Sequence, residues 1–149
     1  MLLENGAHID AQDDEALRLA AWNGHLEVVA LLLENGANVH ADADDALSLA
    51  SENGHLEVVK LLVENGAHVD ADAALCTAAE HGHFEVVKLL VEHGATLLDS
   101  AISSARDCGH SKVVAYLESE QAKLHELERW RECIVGSWKT IRHSFIFSI

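Results

Sequence analysis

The chain has 149 residues, with 10 Lys and Arg against 25 Asp and Glu and a formal charge of -15. So few cations argue against phosphate-backbone binding, and nucleic acid is not an expected partner. Hydrophobic residues make up 49%, enough to bury the core of one domain, and the absence of proline excludes collagen-like and proline-rich readings. Cys76, Cys108 and Cys133 are an odd number without close spacing. A disulfide framework is therefore not expected, and a reducing, cytoplasmic location is. No signal peptide is read in Met1-Leu2-Leu3-Glu4, and the apolar runs fall short of a bilayer span, so no membrane partner is expected.

The chain repeats itself. Glu-Asn-Gly-Ala begins at Glu4, Glu34 and Glu64 and returns as Glu92-His93-Gly94-Ala95, in steps of 30, 30 and 28 residues. Asn-Gly-His-Leu-Glu-Val-Val begins at Asn23 and Asn53, returns with Phe84 from His81, and returns more loosely from Cys108. Ala16-Leu17, Ala46-Leu47, Ala74-Leu75 and Ala101-Ile102 keep the same phase. In chain order this gives a partial repeat over 1–11 and repeats over 12–41, 42–71 and 72–98. A divergent last repeat over 99–119 follows, then an amphipathic helix with an apolar tail over 120–149.

Each repeat reads as two helices. The first, Glu15 to Asn23, turns Leu17, Leu19 and Ala20 inward and ends at Gly24, where a left-handed backbone has little steric cost. The second, His25 to Glu34, sets Leu26, Val29, Leu32 and Leu33 on one face and ends at Gly36. Asp13, Asp14, Asp44 and Asp45 stand where first helices begin, suited to their free N–H groups and positive dipole end. Neither helix buries its stripe alone, so stacking on neighbouring repeats is obligatory. In the tail, Leu117, Leu124, Leu127, Trp130, Ile134, Trp138, Ile141 and Phe145 keep helical spacing, with a break expected at Gly136. Packing on the last repeat as a cap is the leading reading of that helix, and partner binding is the second.

Gly24-His25-Leu26-Glu27-Val28-Val29, Leu31-Leu32-Leu33 and Gly36-Ala37-Asn38-Val39, with their later copies, resemble the ankyrin-repeat family over residues 1 to about 119. The short repeats look like those of ankyrin arrays in large DNA viruses. The resemblance implies an all-α solenoid of stacked helix-turn-helix pairs with hairpin fingers and, here, a C-terminal helix. Two features depart from the family. Glu15-Ala16-Leu17-Arg18-Leu19-Ala20 stands where the Thr-Pro-Leu-His motif belongs, and the period is shorter than about 33 residues, so the fingers should be stubby.

No catalytic or cofactor motif stands out, so a non-enzymatic protein without cofactor is expected. The 11 histidines are mostly repeat positions. His25, His55, His83 and His110 are one position seen four times, too far apart to share a zinc ion. Ankyrin ligands usually meet the concave face built from finger tips and exposed first-helix positions. Carried onto this chain, the fingers are Gln12, Asp13, Asp14, Asp42, Asp44, Asp45 and Asp72. The helix positions before each glycine are Trp22, Asn23, Glu52, Asn53, Glu80, His81, Asp107 and Cys108. The expected function is binding of a protein partner with a basic patch through this acidic face. An adaptor working through the C-terminal helix, or an inert fragment or designed scaffold, is the alternative. Self-association through the uncapped N-terminal end or the apolar tail is also open.

Overall fold

Glycine and small apolar residues divide the chain into helices too short to persist in isolation. A computed structural model describes the backbone of residues 11–40, 45–69 and 74–146, and the side chains of 15–40, 45–69, 74–131 and 134. Among these residues the chain forms eight helices and no strand. They are α1 (Ala11–Trp22), α2 (Leu26–Glu34), α3 (Asp45–Glu52), α4 (Leu56–Glu64), α5 (Ala74–Glu80), α6 (Phe84–Glu92), α7 (Leu98–Asp107) and α8 (Ser111–Ile146). The odd-numbered helices pack side by side in one row, and each leans on the following even-numbered helix in a second row.

The core lies between the rows. The first row contributes Leu17, Leu47, Leu75 and Ile102 with the alanines three residues on, and the second contributes Val29, Val59, Val87 and Leu62. Alanine in the first row lets neighbouring helices approach closely, while leucine and valine fill the space between rows. The partial repeat at residues 1–10 lies outside the described residues. Val28 is 46% exposed, whereas the equivalent Val58 and Val86 are 2% exposed, because each of these is covered by the repeat before it.

Both helices of a repeat end in the same way. At Gly24 the backbone turns left-handed with φ +72°, His25 N–H donates to the Ala20 carbonyl, and Gly24 N–H donates to the Ala21 carbonyl. That pair of bonds is a Schellman motif, which satisfies carbonyls the helix end leaves open. The second helix repeats it, with Ala37 N–H donating to the Leu32 carbonyl.

The first of these turns also joins consecutive repeats. A Cβ on Gly24 would stand 2.5 Å from Nδ1 of His55, one on Gly54 2.5 Å from His83, and one on Gly82 2.5 Å from His110. The imidazole of each repeat thus lies flat against the glycine of the repeat before. His55 Nε2–H donates to the Trp22 carbonyl at 2.9 Å, and His83 Nε2–H to the Glu52 carbonyl at 2.8 Å. Glycine is required there twice over, by its φ and by the ring on its open side.

The sequence expectations are corrected at four places. Leu19 is 52% exposed, because a residue two positions from Leu17 points about 200° round the helix from it. The backbone is already helical from Ala11, so Gln12, Asp13 and Asp14 belong to α1 and not to a finger. Ala11, Gln12 and Glu15 favour helix, and nothing in Ala-Gln-Asp-Asp-Glu interrupts it. Helix α8 runs through Gly136 without a break. Glycine in a helix interior costs about 1 kcal/mol against alanine, and it terminates the helix only where a left-handed turn is made. The tail does not cap the array, since Leu124, Leu127, Trp130 and Ile134 are 48–64% exposed.

The last repeat is closed by its own substitutions. Arg106 stands where Ala21 and Ala79 are buried, Ser111 replaces Leu26, Leu56 and Phe84, and Glu118 replaces Leu33, Val63 and Val91. Arg106 and Glu118 pair at 2.8 Å on this outer surface. Within the joint, Tyr116 meets Phe84 edge-on at 5.5 Å, and Lys112 Nζ sits 3.7 Å from the Phe84 ring centre. A polar outer face of this kind is what a terminal repeat needs to meet water.

Two stability measurements follow from this packing. Gly54→Ala should lower the unfolding free energy by about 2 kcal/mol or more, and Gly66→Ala, with φ +96° but open space at its Cβ, by about 1–2 kcal/mol. In a His83→Ala background the Gly54→Ala cost should shrink toward that of Gly66→Ala, as read by urea unfolding. Ser51 is fully buried with no hydrogen-bond partner for its hydroxyl, where other repeats bury Ala21 and Ala79. Ser51→Ala should therefore raise the urea midpoint, by a free energy of about 1 kcal/mol.

Candidate functional site

The last helical residue of each first helix is the same repeat position: Trp22, Glu52, Glu80 and Asp107. Packed helices lie about 8–10 Å apart, so the position forms a row of one indole and three carboxylates at that spacing. The row is held from behind. The carbonyls of Trp22 and Glu52 are the acceptors for His55 and His83, so the inter-repeat contact also positions the row's backbone.

At the indole end, Trp22 is 48% exposed. With Glu15, Arg18, Leu19 and Leu49 it lines an open depression of about 150 Å³. The depression spans two repeats, and an ion pair between Arg18 Nε and Asp45 Oδ2 at 2.5 Å crosses the same joint. Indole and leucine surface, edged by Glu15 and by Arg18 in its ion pair with Asp45, make an amphipathic recess able to take an apolar side chain.

Residues 1–73 and 47–126 match the family model of ankyrin repeats in three copies. The chain belongs to the ankyrin-repeat family. No curated protein is matched by this sequence. Ankyrin repeats are generally protein–protein interaction modules and typically non-enzymatic. In this ankyrin chain the segment His93 to Leu97 is all that separates α6 from α7.

The residues singled out in this ankyrin array fall into three groups. Trp22, Glu52 and Glu80 share the row, while Asp45 begins α3, at the other end of that helix from Glu52, and pairs with Arg18. Asn23, Asn53 and His81 instead turn back on their own helices. Asn23 Nδ2 donates to the Leu19 carbonyl at 2.7 Å, Asn53 Nδ2 to Leu49 at 2.9 Å, and His81 Nδ1–H to Thr77 at 2.9 Å. Their first duty is closing the helix end. Asp44 lies outside the described residues, as do Asp42 and Asp72, and the side chains of Asp13 and Asp14 are also outside them. Sequence reasoning missed Glu15, Leu19 and Leu49. The available signal was apolar residues at a position where the later repeats carry Thr77 and Ser104.

Titratable chemistry is sparse. Among the described residues no three His, Cys, Asp or Glu side chains are placed to hold a metal ion, and no helix is long and apolar enough to cross a membrane. Burial, then the nearby Glu80 carboxylate, pushes the Cys76 thiol above its ordinary value. Cys108 is exposed. The thiolate is the reactive form, so peptide-resolved mass spectrometry after brief iodoacetamide treatment at neutral pH should show Cys108 alkylated well before Cys76. Raising the pH through the Cys76 titration should narrow the difference.

Proposed function

We propose that this ankyrin array binds an extended, basic protein segment across its first-helix face, with Trp22 as the apolar anchor and Glu52, Glu80 and Asp107 as the charged track. The observation that carries the reading is the row itself. It sets like charges about 10 Å apart, matching every third residue of an extended chain at about 3.3 Å per residue. Asp45 contributes charge at the start of α3, and Asp13, Asp14 and Asp44 are included in the proposed contact on their sequence positions alone. Asn23, Asn53 and His81 contribute at the edge of the contact while they close their helices.

The charge pattern selects the partner. Residues 1–120 carry 5 Lys and Arg against 22 Asp and Glu, net -17, so an acidic or nucleic-acid ligand meets repulsion and a cationic one is steered in. Affinity comes from the recess more than from the rim charges, because exposed ion pairs contribute little and a desolvated aromatic contributes much. The work of the surface is recognition, and no bond is made or broken.

A fluorescein-labelled peptide with Lys at every third position and one Leu beyond the last Lys tests this by anisotropy. Trp22→Ala should weaken binding at least about tenfold, and Glu52→Gln with Glu80→Gln by a few-fold together. Raising the salt should weaken it further. Binding that ignores both Trp22 and salt would contradict the proposal.

A further inference from the structure

Beyond the array, α8 continues as a free helix. Every described side chain from Ala122 onward is exposed, including Leu124, Leu127, Trp130 and Ile134. The backbone nevertheless stays helical to Ile146, about 33 Å past Leu124 at 1.5 Å per residue. Most helical stability in proteins comes from packing an amphipathic face, and this stretch packs on nothing among the described residues.

The stripe follows a seven-residue period. Positions 117, 124, 131, 138 and 145 are Leu, Leu, Arg, Trp and Phe, and positions 120, 127, 134 and 141 are Glu, Leu, Ile and Ile. Seven of these nine seam positions are apolar. A strict period of seven is the pattern of a helix that pairs with another helix through a left-handed coiled-coil seam. Leu117 is already buried in the array, so the open seam begins at Leu124. Gly136 falls on the face opposite the seam.

We propose that α8 pairs with α8 of a second copy of this chain, antiparallel, through the seam from Leu124 to Phe145. Three observations choose this occupant and this direction. First, residues 111–128 hold two Lys and four Glu, net -2, while residues 129–146 hold four Lys and Arg and one Glu, net +3. Antiparallel pairing lays each acidic half along the basic half of the other copy. Second, a parallel pair would set Arg131 against Arg131 and Glu120 against Glu120 in the seam. The antiparallel register sets position 131 level with 134 and 120 level with 145, alongside 124 with 141 and 127 with 138. Like charges directly opposed are destabilising, and offsetting them removes the penalty. Third, each copy carries an array of net -17 at the start of its α8. Antiparallel pairing puts the two arrays at opposite ends, well beyond the Debye length of about 8 Å, whereas parallel pairing puts them side by side.

The full chain tests this by light scattering coupled to gel filtration, at concentrations from micromolar upward and with reductant present. The expected mass is twice 16.2 kDa, falling to the monomer value in Leu127→Glu/Ile134→Glu. Far-UV circular dichroism should keep the array's helical signal in that variant. Gly136→Ala, off the seam and favourable to helix, should strengthen the dimer, which keeps the proposal testable if the glutamates disturb the array. A spin label on Ser119→Cys, with the native cysteines replaced by alanine, reads direction. Antiparallel pairing predicts a separation of about 40 Å, from the number of helical residues between levels. A monomer throughout the range overturns the proposal, and so does a dimer that survives both glutamates. A separation under about 20 Å overturns the direction, because a parallel pair holds equivalent residues about one helix diameter apart. None of these readings depends on the peptide binding proposed for the first-helix face.

Discussion

The flat contact between an imidazole and the glycine of the preceding repeat is the constraint on which the rest of the array depends. Each repeat is two short helices with no stability of their own, so the fold exists only where repeats meet. At every described joint the same histidine fills the space above the glycine's missing side chain. Where its Nε2–H bond to the carbonyl two residues before that glycine is described, it turns a helix end that would otherwise face water into the seat of the next repeat. One residue pair thereby performs three tasks: it ends a helix, registers the next repeat, and holds the backbone from which Trp22 and Glu52 project.

The C-terminal end of the array differs from its interior because the sequence there differs. At the C-terminal end, Arg106, Ser111 and Glu118 replace the apolar residues of the joint, and no ring stands over Gly109. The second helix of this repeat also lacks its stop signal. Asn35-Gly36, Asn65-Gly66 and His93-Gly94 become Glu120-Gln121, so α8 passes the point where its predecessors turn and continues for a further 26 residues, to Ile146. Gln121 Nε2 reaches Asp99 at the start of α7, and beyond it the helix leaves the array. Polar closure and helix extension are two consequences of one set of substitutions.

Much of this was legible in the sequence because repetition turns weak local signals into strong ones. A single Gly-His pair is uninformative, but the same pair four times in phase located both helix ends and the repeat count. Assigning His25, His55, His83 and His110 to one repeat position followed from the same periodicity. Three features were less legible. Leu19 was read as core because apolarity was weighed above its angle from Leu17. The tail was read as a cap because an amphipathic stripe shows that a surface will be covered, not by what. For Asn23, Asn53 and His81, read as contact residues, the second task of closing their own helix ends was not legible; it appears only in the hydrogen bonds to Leu19, Leu49 and Thr77.

Histidine tautomers test the central contact most directly, because a carbonyl oxygen accepts only and the ring nitrogen facing it must carry the proton. Long-range nitrogen–proton correlation spectra of nitrogen-15-labelled protein, recorded well above the histidine titration range, report which nitrogen that is. The account predicts the Nε2–H form at His55 and His83, and the Nδ1–H form at His81 and His93, which bond to Thr77 and Leu89 within their own repeats. Nδ1–H tautomers at His55 and His83, or spectra there that match exposed His25, would mean the rings do not bridge the repeats and would contradict the account.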